Sequence, residues 1–190
     1  EMLGAVGEAQ VQQAVRLAAQ SLAQLGAAWV LEVSHMGYLF GLFDALGVPE
    51  NARPGLLEKL REKNAHELRR AAQAAGLDAA GADALTGLLE LSGSCEETLA
   101  KAESACRNDR MCAAAAELRA LAKTLEASGG AVRLDLSLAG EMEYYNGLVF
   151  QGYLRGLPRP LLKGGRYDLL MQKFTPGAGA IGFAVYLDEL

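Results

Sequence analysis

Three short segments in the C-terminal quarter carry side chains able to grip a small charged molecule. They run from Glu143 to Phe150, from Lys163 to Asp168, and from Gly182 to Leu190. Gly164 and Gly165, at the end of an apolar run, let a backbone approach a ligand with no β-carbon in the way. Arg166, Tyr167 and Asp168 then add a forked donor, a phenol and a carboxylate, a set suited to holding a zwitterion. Tyr144 and Tyr145 are adjacent, so on a strand they point to opposite faces and only one of them lines a given pocket. A purely structural alternative stands beside each segment: a glycine bulge, a surface pair of Arg166 with Asp168, and tyrosines at the edge of a core.

Several elements must position these groups. From Glu8 to Leu25, apolar residues recur at three- and four-residue steps and Gly26 follows as a cap, which predicts a helix. Trp29 to His35 and Leu148 to Leu154 read as strands, a third begins at Leu161, and Ala180 to Leu187 is the last. Val132 to Leu138 alternates with a period of two, and Tyr38 to Leu46 has helical spacing. Between about 49 and 128 the composition turns to alanine, leucine and mixed charge, with no strand expected. Pro54 opens one helix there, Ser94 and Glu97 have capping-box spacing, and Asp109 is expected to cap the last helix. Glu58 to Arg70 reads as a solvated helical face, with partner docking as its alternative. The resulting expectation is an α+β architecture: a core of residues 1–48 and 129–190, an antiparallel sheet flanked by helices, and an all-helical insertion over 49–128.

The 190 residues are 51% hydrophobic and 22% charged, with a formal net charge of -5. Disorder, a collagen-like repeat and a coiled-coil rod fit that balance poorly. The acidic excess argues against nucleic acid or an anionic membrane as partner. The longest apolar stretch, Ala178 to Leu187, is broken by two glycines and falls short of the ~20 residues of a membrane span, so a cytoplasmic protein is expected. The opening residues lack the pattern of a secretory signal and an initiator Met, and read as a piece of a longer chain. Cys95, Cys106 and Cys112 have neither metal-ligand nor disulfide-framework spacing and read as reduced thiols, with a Cys106–Cys112 redox pair as the alternative. His35 and His66 have no acidic or cysteine partner at ligand spacing and read as ordinary histidines. Gly177 to Ala180 lacks the residues of a phosphate loop and reads as a connection. No metal and no cofactor are expected.

Taken together, the three segments resemble the catalytic domain of histidyl-tRNA synthetase, a class II synthetase. The resemblance covers Glu1 to about Leu46 and Ala131 to Leu190, with the helical block where that family carries an insertion. It implies a class II synthetase-like fold whose first motif and second-motif arginine lie upstream of Glu1. Two positions depart from the pattern. Gly140 stands where the synthetase has an arginine that aids activation of histidine, and Glu189 stands where the third motif ends in an arginine that braces ATP. At about 5 Å and an effective dielectric near ~20, each unit charge pair is worth roughly 3 kcal/mol, so reversing the sign changes binding by about twice that. Adenylation is therefore expected to fail.

A chain of this kind that lacks both arginines resembles the regulatory-subunit family of ATP phosphoribosyltransferase. That resemblance implies a non-catalytic role in the first step of histidine biosynthesis, with the catalytic ATP phosphoribosyltransferase subunit as partner, a homodimer in full length, and histidine as effector. It places the histidine pocket at Glu1, Tyr145, Gly164, Gly165 and Tyr167, with Arg166 and Asp168 supporting the turn. Glu1 can accept from the α-ammonium or an imidazole N–H, and the two phenols can bond the ring nitrogens. The alternatives are a histidyl-tRNA synthetase catalytic-domain fragment and a stand-alone amino-acid-binding paralogue.

Overall fold

A computed structural model describes residues 1–126, 131–139 and 144–189. Gly140, the start of the first tyrosine segment and the expected core boundary at 129 lie outside the described residues. The strands are β1 (Met2–Gly4), β2 (Trp29–His35), β3 (Ser92–Ser94), β4 (Ala131–Asp135), β5 (Leu148–Leu154), β6 (Leu162–Arg166) and β7 (Gly179–Val185). They form one sheet in the order β1-β7-β6-β5-β2-β4-β3. The helices are α1 (Glu8–Ala23), α2 (Met36–Ala45), α3 (Arg53–Arg61), α4 (Ala65–Ala74), α5 (Ala79–Thr86), α6 (Cys95–Ser104), α7 (Asp109–Glu126) and the single turn α8 (Asp168–Met171).

Two expectations about the sheet need correction. It is mixed, because β2 and β4 run parallel while the other described pairs are antiparallel. A parallel pair needs a long crossover, and residues 36–130 supply it. The block between 49 and 128 is also not wholly helical. Its β3 pairs with β4, Gly93 opposite Leu134. Ser-Gly-Ser offers no apolar alternation, so the sequence hides this strand.

Alternation along the strands divides the sheet into two faces. Leu31, Val33, Leu134, Leu148, Phe150, Leu162 and Ile181 are buried on one face. The other carries Glu32, Gln151 and Lys163, which are register neighbours across β2, β5 and β6. Helix α1 covers the apolar face through Val11, Val15, Ala18 and Leu22. Leu22 takes the space beside Gly152, where an added β-carbon would lie 2.6 Å from its Cδ1. Helix α7 buries Met111, Leu118 and Leu125, and Met111 approaches the bare Gly41 of α2.

The N-terminus of α7 is capped by Asn108 and not by Asp109. The Met111 N–H donates to Asn108 Oδ1 at 3.0 Å, while Asn108 Nδ2 donates to the Gly41 carbonyl at 2.8 Å. That second bond couples the cap to α2, which local sequence cannot reveal. Ser94 caps α6 as its spacing implies, accepting from the Glu97 N–H at 3.4 Å. Two ion-pair sites fasten the helical block. Asp44 holds Arg53 and Arg110 at 2.8 and 2.7 Å, and Lys63 Nζ reaches Asp135 Oδ2 at 2.5 Å. Asp135 is buried and also accepts from the Ser137 N–H and hydroxyl. On the solvated face of α3 and α4, Lys59–Glu62 and Arg70–Glu67 pair at three-residue spacing, worth little in open solvent.

Candidate functional site: glycines and tyrosines on the polar face of the sheet

Strands β6 and β7 lie side by side with Gly165 opposite Gly182. With no side chain at either position, the polar face has a shallow floor there. Other groups fill it. A β-carbon on Gly165 would lie 2.7 Å from the Tyr145 ring, and one on Gly182 would lie 2.6 Å from the Glu1 carboxylate carbon. The two glycines thus permit a phenol and a carboxylate to rest directly on the backbone.

The phenol stands in an aromatic cluster. Ring centroids of Tyr144 and Tyr145 are 4.9 Å apart, and that of Tyr167 lies 5.6 Å from Tyr144 and 6.3 Å from Tyr145. The expectation that Tyr144 and Tyr145 point to opposite faces is overturned. Both precede β5 in a non-strand segment, where the period of two does not apply. Burial raises the Tyr145 hydroxyl well above the usual phenol range, with the neighbouring Tyr144, Tyr186 and Glu1 adding to the shift. Tyr145 is therefore a neutral phenol at ordinary pH, able to donate one hydrogen bond and to accept others.

Gly164 does not join this group. It faces the apolar side, where a β-carbon would lie 2.5 Å from the Phe183 β-carbon and 2.6 Å from Phe150 Cζ. Arg166 also points to that side. Its Nε donates to Asp168 Oδ2 at 2.7 Å and its Nη2 to the Val6 carbonyl at 3.1 Å. Its methylenes pack on Gly147, where a β-carbon would lie 3.0 Å from Arg166 Cδ. Asp168 Oδ1 accepts from the Ala180 N–H at 3.0 Å, and the Asp168 N–H donates to Asn146 Oδ1 at 2.9 Å. The Asn146 N–H in turn donates to the Arg166 carbonyl at 3.1 Å. These bonds staple the turn after β6 to β7, to the tyrosine segment and to the chain before α1.

Glu189 lies on the short 3-10 turn Leu187–Glu189. Its Oε1 is 3.5 Å from Nη1 of Arg159, which belongs to the β5–β6 connection. The carboxylate thus has a cationic neighbour, which offsets part of its negative charge.

Sequence reasoning passed over one pair. His35, buried at the end of β2, accepts from the Gly37 N–H through Nδ1 at 3.0 Å, which leaves the proton on Nε2. Nε2 donates to Glu117 Oε2 of α7 at 3.0 Å. This bond, with the attraction of Arg166, holds the Glu117 carboxyl below the ordinary glutamate value against the opposing effect of burial. The partners are 82 positions apart, so no local spacing marks them. Cys95, Cys106 and Cys112 form no disulfide. Burial and a bond with Cys112 push the Cys106 thiol up to about 11, which disfavours its reactive thiolate. Among the described residues there is no cluster able to hold a metal ion and no helix long and apolar enough to cross a membrane.

Known proteins are similar to this chain in sequence and in fold. A family model described as histidyl-tRNA synthetase matches residues 1–190. An ATP phosphoribosyltransferase regulatory subunit of Desulfitobacterium hafniense is 33% identical over 193 residues, covering all of this chain and 50% of its own length. One from Shouchella clausii is 41% identical over 162 residues, covering 83% of this chain and 40% of its own. The chain therefore spans about half the length of the curated relatives it matches. A solved structure titled as an ATP phosphoribosyltransferase regulatory subunit/histidyl-tRNA synthetase from Bacillus halodurans superposes with a TM-score of 0.87 at 31% identity, covering 98% of this chain and 50% of that one. The histidyl-tRNA synthetase of a Nostoc species superposes with a TM-score of 0.80 at 16% identity over 99% of this chain and 47% of that one, a likeness of fold alone. With the whole described sheet accounted for by that fold and all 190 residues matched, the chain belongs to the histidyl-tRNA synthetase family.

Proposed function

We propose that this chain is the synthetase-like core of a regulatory subunit of ATP phosphoribosyltransferase, which binds histidine without activating it. The single observation that carries the reading is the similarity, at 33% identity across the whole chain, to a protein of that name. The site chemistry is compatible with it. Glu1 offers a carboxylate for the α-ammonium, and Tyr145 and Tyr167 offer phenols for an imidazole, above a floor kept clear by Gly165 and Gly182. Gly164 contributes close packing of strands, and Arg166 with Asp168 holds the turn. Where the synthetase motif ends in an arginine, Glu189 presents a negative charge toward any polyphosphate. The proposed partner is the catalytic subunit of the same transferase, with the full-length subunit a homodimer and histidine its effector.

A histidyl-tRNA synthetase fragment is the second reading. Arg159, 3.5 Å from Glu189, supports it by placing a guanidinium in the neighbourhood of the missing cation. ATP–pyrophosphate exchange with histidine, on the full-length protein, separates the two. The regulatory reading expects no turnover together with co-elution of the catalytic transferase subunit. Robust exchange would overturn it.

A further inference from the structure

On the sheet face opposite Glu1 and Tyr145, helices α1 and α7 flank an open cleft of about 420 Å³. Three residues of α7, Ala113, Ala116 and Ala120, form one wall, and their short side chains leave the space open. Val11 and Leu121 extend this apolar lining, while Glu8, Gln12, Glu117 and Arg166 supply the polar groups. The volume suits one small metabolite.

The charges decide what kind. Arg166 is committed: Nε holds Asp168 and Nη2 holds the Val6 carbonyl, so its positive charge is largely matched within the turn. Glu117 is matched less closely, drawn by the charge of Arg166 but forming no ion pair with it. Gly37 fixes His35 as the neutral tautomer, so Glu117 receives a hydrogen bond through Oε2 and no full counter-charge. Its Oε1 has no hydrogen-bond partner among the described residues. Glu8 adds a second carboxylate, bonded through Oε1 to Gln12 Nε2 at 2.8 Å. The cleft thus joins two carboxylates, neither of them ion-paired to a Lys or Arg among the described residues and facing one arginine already held by Asp168, to an apolar wall.

We propose that the α1–α7 cleft binds a small organic cation, a primary ammonium on a short apolar stem, with Glu117 as its principal carboxylate partner. The ammonium donates to Glu117 Oε1, and the stem lies along the alanine wall. An anion of the same length is repelled by both carboxylates.

The test is a titration of the full-length protein, alanine-methyl labelled, with n-butylammonium followed by NMR, and with butyrate in parallel. The expected result is a saturable shift of the Ala113, Ala116 and Ala120 methyls with butylammonium and none with butyrate. Glu117→Gln is expected to weaken binding about ten-fold, the loss of one charge-assisted bond. Ala116→Leu, at an exposed position that tolerates bulk, is expected to fill the cleft and abolish the shift while the fold is kept. Equal binding of butyrate, no saturable response to butylammonium, or unchanged affinity in the Ala116→Leu variant would each overturn the proposal. The second variant decides the matter even where Glu117→Gln loses the His35 contact and unfolds.

Discussion

The carboxylate of Glu1 occupies the place where a side chain on Gly182 would begin, 2.6 Å from the ideal β-carbon position. The same holds one strand over, where Tyr145 takes the space of Gly165 at 2.7 Å. A methyl at either position has to move the group above it. Gly165→Ala meets a ring that packs against two other tyrosines and is expected to cost about 1–3 kcal/mol of strain. Histidine affinity of the full-length protein, by calorimetry, is expected to fall roughly ten-fold or more in this variant. Unchanged affinity would remove Tyr145 and Gly165 from the proposed pocket.

Gly152 provides a matched control remote from those groups. Its added β-carbon would lie 2.6 Å from Leu22 Cδ1, inside the α1–β5 contact. Gly152→Ala is expected to lower stability by about 1–3 kcal/mol in urea unfolding. Histidine affinity, measured where the variant remains folded, is expected to stay within about two-fold of the parent.

The Glu117 carboxyl titrates below its ordinary value of 4.5 because His35 donates to the ionised form. A depressed carboxyl contributes stability that is present above the unfolded value and is lost as pH falls through the folded one. Unfolding midpoints of the parent are therefore expected to drop on acidification below about pH 4.5, and Glu117→Gln to flatten that part of the profile. The side chain is about half exposed to solvent, 52%, so solvent screening reduces the effect. An identical acid limb in both proteins would remove this pair from the pH response.

Lys63 combines two opposed effects. Its φ of 52° is the one positive value outside glycine among the described residues, a conformation that costs a side-chain-bearing residue about 1–2 kcal/mol. Its ammonium also serves the buried Asp135. Lys63→Met keeps the backbone cost and strands the carboxylate, for a loss of about 1–3 kcal/mol. Lys63→Gly strands it too but relieves the backbone, and is expected to unfold at higher urea than Lys63→Met. The reverse order would show that the methylene stem outweighs backbone strain at this turn.

Local signals made part of this fold legible. Trp29 to His35 and Leu148 to Leu154 are strands with the bounds that their apolar character and flanking turns indicate. Ser94 caps its helix because the capping pattern is complete within four residues. Non-local relationships were not legible. The parallel pairing of β2 with β4 joins segments about a hundred positions apart, and β3 is too short and too polar to show a period. At the site, glycine pairs and tyrosines are visible as types. That Gly182 carries Glu1, or that Glu117 reaches His35, depends on pairing between residues far apart in sequence. The two-residue alternation of a strand says nothing about Tyr144 and Tyr145, because both precede β5.

The parallel crossover has a consequence for anyone wishing to trim the molecule. Leaving the C-terminal end of β2 and re-entering at β4 in the same direction, the polypeptide must travel back by at least a strand length, about 16 Å for five residues. Helix α7, 18 residues long and so about 27 Å from end to end, is the strut that makes this return. A shortened version that discards α3 to α6 yet retains α7 keeps a path home. One that splices Ala45 straight to Ala131 through a tight turn would reverse the direction of β4 and lose its partner.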